Sequence, residues 1–282
     1  MMGRAKGRMQ LSPGDWIGLG ALGTGLLFLF VVPGLVFIPL GLFLILCMIA
    51  PFLPGVSFFL PVISKGRSGK RAVALTFDDG PDPGSTPRLL HLLKTHDMKA
   101  TFFVVGEKAA RHPQLIQEIL RQGHSIGNHS LTHDNLVMFK RRRTLKREIT
   151  ATQEILADFG IRPLAFRPPV GITYPGLGGV LTQAGLYALS FSCRAADGGN
   201  RWIRNLSGRI LRKLHPDAII ALHDASPPDE RLLSYWLDEV ERILTGIRER
   251  EFVVTPLPQL IGRRVMEAVS NRERHIVDKS FR

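Results

Sequence analysis

The segment Thr76–Asp82 (TFDDGPD) puts two adjacent carboxylates, Asp78 and Asp79, directly after an apolar run. Successive side chains of a strand point to opposite faces, so the two acids are suited to different tasks. Gly80-Pro81 then favours a tight turn that keeps both at the strand end. In His129-Ser-Leu-Thr-His133 two imidazoles stand four residues apart, a spacing that brings them onto one face of a helix. Two neutral imidazoles and one carboxylate suit Zn²⁺ or a neighbouring first-row ion, with positions left for water and substrate. Arg167 opens the segment RPPVG, and His223 lies between Leu222 and Asp224 after a second apolar run. A histidine at a strand end can donate a proton to a leaving amine, and Asp197 can accept a hydrogen bond from its ring. Taken singly, each feature has an ordinary explanation as a solvated turn, a pair of exposed histidines or a cap.

The elements that must position these groups alternate. Strands are predicted over 71–77, 100–105, 125–128, 165–167, 187–192, 218–222 and 252–254. Helices are predicted over 86–96, 113–122, 144–159, 177–184, 203–214 and 230–250, with Pro113 suited to a first turn and Gly123 and Gly160 to stops. Alternation of this kind implies a parallel sheet covered by helices. Asp78, Asp79, His129, Arg167, Asp197 and His223 all fall at or just after strand C-termini. A closed barrel brings such ends to one mouth, whereas an open sheet spreads them along an edge, so the pattern favours a barrel.

In this order and at these strand ends, TFDDGPD, HSLTH, RPPVG and ALHD resemble the polysaccharide deacetylase family (carbohydrate esterase family 4, the NodB-homology domain). The resemblance spans roughly residues 71–261. It implies an α/β fold, a distorted (β/α)7 TIM-like barrel, here preceded by an N-terminal transmembrane hairpin. The implied activity is hydrolysis of a linear amide, the N-deacetylation of an amino sugar. The implied cofactor is one divalent ion, usually Zn²⁺ with Co²⁺ or Ni²⁺ as alternatives, on Asp79, His129 and His133. Asp78 would be the base and His223 the acid, with Arg167 orienting Asp78 and Asp197 tuning His223. Pro169, Val170 and Leu222 would contact substrate, Val170 through its N–H and Leu222 in the acetyl pocket. Two departures bear on the substrate: the family usually has an aromatic residue where Val170 stands, and it often has a tryptophan directly after the aspartate, whereas Asp197 is followed by Gly198-Gly199 and the nearest tryptophan is Trp202. The alternative is a non-catalytic, membrane-bound glycan-binding protein on the same scaffold.

From Trp16 to Ser64 there is no Asp, Glu, Lys or Arg. One helix of that length, at about 1.5 Å per residue, would be about twice as long as a bilayer core is thick. Pro33-Gly34, Pro39, Pro51 and Pro54-Gly55 suggest breaks, giving short spans near 16–33 and 35–52 and an interfacial apolar segment to Ile63. The resulting division is a basic segment 1–15, a membrane region 16–63, a linker 64–70, a deacetylase domain 71–262 and a frayed charged tail 263–282. A cleaved signal peptide fits less well, because its apolar core is normally about 7–15 residues. Arg4, Lys6 and Arg8 precede the apolar region, and Lys65, Arg67, Lys70 and Arg71 follow it. Both flanks are positive, which favours a hairpin with the domain on the cytoplasmic side of a bacterial inner membrane; an odd number of passes would place the domain outside.

The net charge of +13 points to an anionic partner. Aromatics do not interleave with the basic residues as a base-stacking surface requires, so nucleic acid is set aside. The expected partners are membrane lipids and an N-acetylated amino-sugar glycan or a polyprenyl-phosphate-linked sugar. Lys140–Arg143 with Lys146 and Arg147 is either a solvated helix face or a contact for lipid headgroups or a phosphate-linked substrate. Cys47 and Cys193 form no disulfide or zinc-ribbon pattern.

Overall fold

A computed structural model describes residues 11–53, 55–137 and 140–269. The basic segment with Arg4, Lys6 and Arg8, the break at Pro54 and the end of the tail lie outside these residues. Helices α1 (Pro13–Val31) and α2 (Phe37–Ile49) come first, followed by β1 (Val62–Ile63), β2 (Ala72–Asp78), α3 (Thr86–Thr95), β3 (Ala100–Val104), α4 (Gly106–Arg111) and α5 (Pro113–Arg121). Then come β4 (Ser125–Asn128), α6 (Arg142–Ala157), β5 (Ile161–Pro163), β6 (Ala165–Phe166), α7 (Leu177–Gln183), β7 (Tyr187–Leu189) and β8 (Cys193–Arg194). The chain finishes with α8 (Leu206–Leu211), β9 (Ala218–His223), α9 (Leu233–Glu249), β10 (Val253–Val254), α10 (Leu257–Ile261) and β11 (Met266–Ala268).

Every residue of β2 is buried, as a strand covered on both faces requires, and its apolar run pairs in parallel with β9 from Val73 to Asp78. Among the described residues the main sheet runs β1-β7-β6-β4-β3-β2-β9-β8, all parallel, with β10 also on β2. Ladder pairing does not close the ring. β7 pairs with β6 and β1, β8 pairs with β9, and only Ser190–Ser192 separate the two strands. The expected closed barrel is therefore corrected to an α/β half-barrel. The strand ends still converge, because Arg167 after β6 reaches Asp78 on β2 and the carbonyl of Ser190 after β7. Helices pack outside, with Trp236, Ile243 and Ile247 of α9 and Leu89, Leu90 and Leu93 of α3 fully enclosed.

Several expected features change. Val62 and Ile63, read as the end of an interfacial segment, form a strand paired to β7. Part of the tail is ordered: β11 pairs antiparallel with β5, and the Val265 carbonyl accepts from Leu164 N–H at 2.6 Å. The helix expected over 203–214 is confined to Leu206–Leu211.

The stretches Pro13–Val31 and Pro33–Phe52 are each long and apolar enough to cross a membrane. Length and composition of this kind belong to a membrane anchor or to a signal sequence. Ser12 and Asp15 close a reciprocal N-terminal cap on α1. Gly18 packs on Phe43 and Gly25 on the Val36 backbone, so the two helices run antiparallel in close contact. Both outer ends return to the same side: Gly14 N–H donates to the Phe58 carbonyl at 2.9 Å, and the Pro51 carbonyl accepts from Thr173 N–H at 3.3 Å.

Candidate active site

The last residue of β2 is Asp78, and Asp79 follows it at φ 72°. That left-handed step, which Asp tolerates better than most residues, turns the second acid away from the first. Asp78 Oδ1 accepts from Arg167 Nη1 at 2.6 Å. Arg167 is almost wholly enclosed and also donates to Thr76 Oγ1 at 2.7 Å and to the Ser190 carbonyl at 2.9 Å. Its guanidinium lies 4.1 Å from the Phe103 ring centroid. Four contacts, from β2, β3 and the residue after β7, hold this cation and with it the Asp78 carboxylate.

Asp79 meets both histidines of the HSLTH segment. Its Oδ1 is 3.3 Å from His129 Nε2 and 2.9 Å from His133 Nε2. One ligand atom from each of the three residues lies within 4.8 Å of the others. Burial works to raise the Asp79 pKa, and bonds and charge from the two histidines more than offset it, leaving the carboxyl well below its ordinary value. His129 Nδ1 lies 2.7 Å from the Arg167 carbonyl. A carbonyl can only accept, so Nδ1 carries a proton and Nε2 is the nitrogen that faces the cluster, where the neutral ring would offer its lone pair to a metal. The donor set fits a divalent cation.

The expected helical face for this pair does not exist. His129–His133 is a loop, with Ser130 at φ 71° and His133 at φ 55°. The loop is fixed by groups that the spacing of the histidines does not reveal. Asn128 Oδ1 accepts from Ser130 N–H at 2.9 Å, and Glu148 of α6 accepts from Leu131 N–H at 3.1 Å and Thr132 N–H at 2.9 Å. Lys108 Nζ donates to the Asp79 carbonyl at 2.7 Å. The sequence signal for Glu148 was a charged residue on the buried side of an amphipathic helix.

Across the mouth, His223 Nδ1 lies 2.9 Å from Asp197 Oδ1. Burial alone would lower the His223 pKa; the Asp197 bond and charge, with Asp79 and Asp78 further off, push it up to about 9. Asn200 Nδ2 ties the Asp197 turn to β9 by donating to the His223 and Ala225 carbonyls at 3.1 and 2.6 Å. Trp202 lies over Gly198 and is 67% exposed, so the turn presents an aromatic face at the rim. Val170 is half-exposed and left-handed at φ 52°, an unusual state for a β-branched residue. Pro169 is buried and Leu222 nearly wholly enclosed, next to His223 in the main core.

The LHD segment also carries a further acid, Asp224. Asp224 is fully enclosed, accepting from Ser85 Oγ and Thr86 Oγ1 at 2.6 Å each. Burial pushes its carboxyl up to about 7 despite these bonds. A Cβ on Gly80 would fall 2.2 Å from Asp224 Oδ2, so the turn after Asp78 and Asp79 needs glycine for this close approach. The buried His124 is no ligand: its Nδ1 accepts from Ala100 N–H at 3.1 Å, and burial lowers its pKa to about 4.

A half-barrel with an Asp-His-His cluster, an Arg-held carboxylate and an Asp-held histidine at one mouth defines a hydrolase site of the carbohydrate esterase type. A profile of the polysaccharide deacetylase family matches residues 65–189. The chitooligosaccharide deacetylase of Sinorhizobium fredii is 32% identical over 210 residues, 71% of this chain and 97% of that protein. A peptidoglycan-N-acetylglucosamine deacetylase of Bacillus cereus is 32% identical over 69% of this chain and 70% of its own length. Among solved structures, the Bc1960 peptidoglycan N-acetylglucosamine deacetylase aligns with TM-score 0.66 at 29% identity, covering 72% of this chain and 94% of that one. A family 4 pseudoenzyme from Bacillus anthracis shares the fold at TM-score 0.63 and 23% identity, covering 71% of this chain and 69% of that one. The chain belongs to the polysaccharide deacetylase family and is a hydrolase of that family, whose members generally depend on a divalent metal.

Proposed function

We propose that the chain is a metal-dependent N-deacetylase of an amino sugar, carried in a glycan or on a membrane lipid, and that α1 and α2 anchor it as a membrane hairpin. The observation that carries the catalytic reading is that all the reacting groups meet at one mouth, each held by its own partner. The fold alone would not suffice, since it also occurs in a protein described as a pseudoenzyme.

Asp79, His129 and His133 would hold one divalent cation, with Zn²⁺ the ion their donor set suits best and Co²⁺ or Ni²⁺ as substitutes. When bound, the ion supplies Lewis acidity toward the amide carbonyl and lowers the pKa of water. Asp78, held by Arg167, accepts the proton of the attacking water. The left-handed turn of Val170 frees its N–H to donate to the oxygen that gains charge. His223, kept protonated through neutral pH by Asp197, gives its proton to the nitrogen as the carbon–nitrogen bond breaks. Acetate and a free amine leave. Val170, Pro169 and Leu222 shape the acyl end, and Trp202 offers a stacking face in place of the tryptophan missing beside Asp197.

The orientation proposed places the domain on the cytoplasmic side, since both ends of the hairpin return to it and both flanks are basic. A lipid-linked amino sugar is then within reach, and cell-wall polymer is not. Purified full-length chain should release acetate from an N-acetylglucosamine oligomer, lose the activity to a chelator, and regain it with Zn²⁺. Metal content near one per chain should disappear in His129→Ala. Binding of the oligomer without acetate release in any metal would favour the non-catalytic reading. A C-terminal reporter active only outside the cell would remove the lipid-linked version.

A further inference from the structure

The loops on one side of the mouth share a core with the chain leaving the hairpin. Val137, four residues beyond His133, is buried with Leu60, Leu145, Phe166 and Leu177, and Ile172 and Tyr174 pack against the same group. This small core joins the loop after the two histidines, the loop after Arg167, the start of α6 and the exit from α2. The Pro51 carbonyl meets Thr173 N–H there, three residues from Val170. Leu136 at 63% and Val170 at 46% exposure stand outside that core as uncovered apolar side chains on the rim.

The first two turns of α6 border this rim. Arg141, Arg142, Arg143, Lys146 and Arg147 are exposed, and the Arg142 guanidinium lies against Gly179 of α7. Lys140 pairs with Asp134, but among the described residues no carboxylate pairs with the five others. The first turn of α6 contains no acid. Cations at a helix N-terminus oppose the macrodipole, so this cluster costs stability unless anions outside the chain meet it.

We propose that Leu136 and Val170, flanked by Arg141, Arg143, Lys146 and Arg147, form a docking face for anionic lipid headgroups. This face holds the active-site mouth against the leaflet from which the hairpin emerges. Charge and continuity with the hairpin exit select this occupant over a soluble partner. Substrate then enters from the membrane plane rather than from bulk water. The proposal rests on the hairpin being membrane-embedded, not on which sugar is deacetylated.

The test uses the full chain in lipid nanodiscs, with a nitroxide at Leu136→Cys in a Cys47→Ala background. In discs containing phosphatidylglycerol, the label should be shielded from a water-soluble metal chelate and accessible to oxygen; in pure phosphatidylcholine discs the shielding should fall. Each of Arg141→Glu, Arg143→Glu and Arg147→Glu should lower the ratio of docked to undocked mouth by about fivefold or more. The same variants should keep wild-type metal content and wild-type acetate release from a soluble oligomer, which reports on folding and on the proposed reaction separately. Equal shielding in both lipids, shielding in neither, or no effect of charge reversal would overturn the docking face even if deacetylation is confirmed.

Discussion

Two halves of the sheet hold the site in different ways. In the half built on β2, β3, β4 and β9 the ladders are long: β2 pairs with β9 from Val73 to Asp78, and β3 pairs with β4 from Thr101 to Val104. That half carries Asp78, Asp79, His129 and His223 at or beside its strand ends. In the half built on β6, β7 and β8 the ladders are brief, β4 meeting β6 only at Asn128 and Phe166. From that half come Val170, Asp197 and Trp202, on turns with left-handed Val170, Ala196 and Asn200. On the proposed roles, the reacting groups would sit on the stiff part and the groove walls on the part that can vary without refolding. Arg167 and Asp197 cross that division, since both belong to the short-ladder half and hold Asp78 and His223 of the other.

If this division is right, changes in the stiff half should be the most damaging. With Asp78 as the proposed base, Asp78→Asn should lower kcat for acetate release by about 10³-fold with the metal content unchanged. Activity within tenfold of wild type would break the comparison. Arg167→Met should come next, because it strands the Asp78 carboxylate in an enclosed site; a loss of about 3–5 kcal/mol in chemical denaturation is expected.

Across the mouth the effects should be smaller and tied to pH. His223 is raised to about 9, so its protonated form stabilises the fold fully below about 6.5, and that contribution is lost as pH rises through about 9. In Asp197→Asn the imidazole loses the partner that outweighs burial. The alkaline limb of kcat should therefore move to lower pH, with about tenfold to hundredfold less activity on the alkaline side of neutrality and a milder deficit in acid. An unmoved limb would remove Asp197 as the positioning residue. Val170→Gly should relieve the left-handed backbone and stabilise the protein by about 1 kcal/mol by thermal unfolding, while KM for an acetylated oligomer rises.

Asp224→Asn should act on the pH dependence of stability rather than on acetate release. The buried carboxyl is raised to about 7 from an ordinary 3.8, so the folded state holds a proton that the unfolded state releases. Wild-type stability should decline as pH rises between those values, and the variant should lack that part of the decline. An identical slope in both proteins would assign the effect to another group.

Much of the stiff half was legible in the sequence because strands buried on both faces appear as unbroken apolar runs, with the polar residues placed directly after them. The spacing of His129 and His133 suggests a helical face, but the shape of this loop depends on Asn128 and on Glu148, which arrives only with α6. The failure of the ladder to close was hidden in Ser190–Ser192, where no residue type marks the change of partner from β6 to β9. β1 and β11 escaped notice because strands of two and three residues have no periodicity of their own and are defined by what they pair with.

The pairing of β1 with β7 also sets an order of assembly. Val62–Ile63 is synthesised directly after the hairpin, but its partners, Ala188 and Leu189, follow only after β2 through α7 have been made. An edge with unsatisfied amide and carbonyl groups must therefore wait, close to the apolar helices, until β7 has been made. Removing the hairpin by cutting at Lys65 would leave β7 without this neighbour for good. A secreted or soluble version of the enzyme should keep residues from Phe58 onward, or it will carry an open strand into every later step of folding.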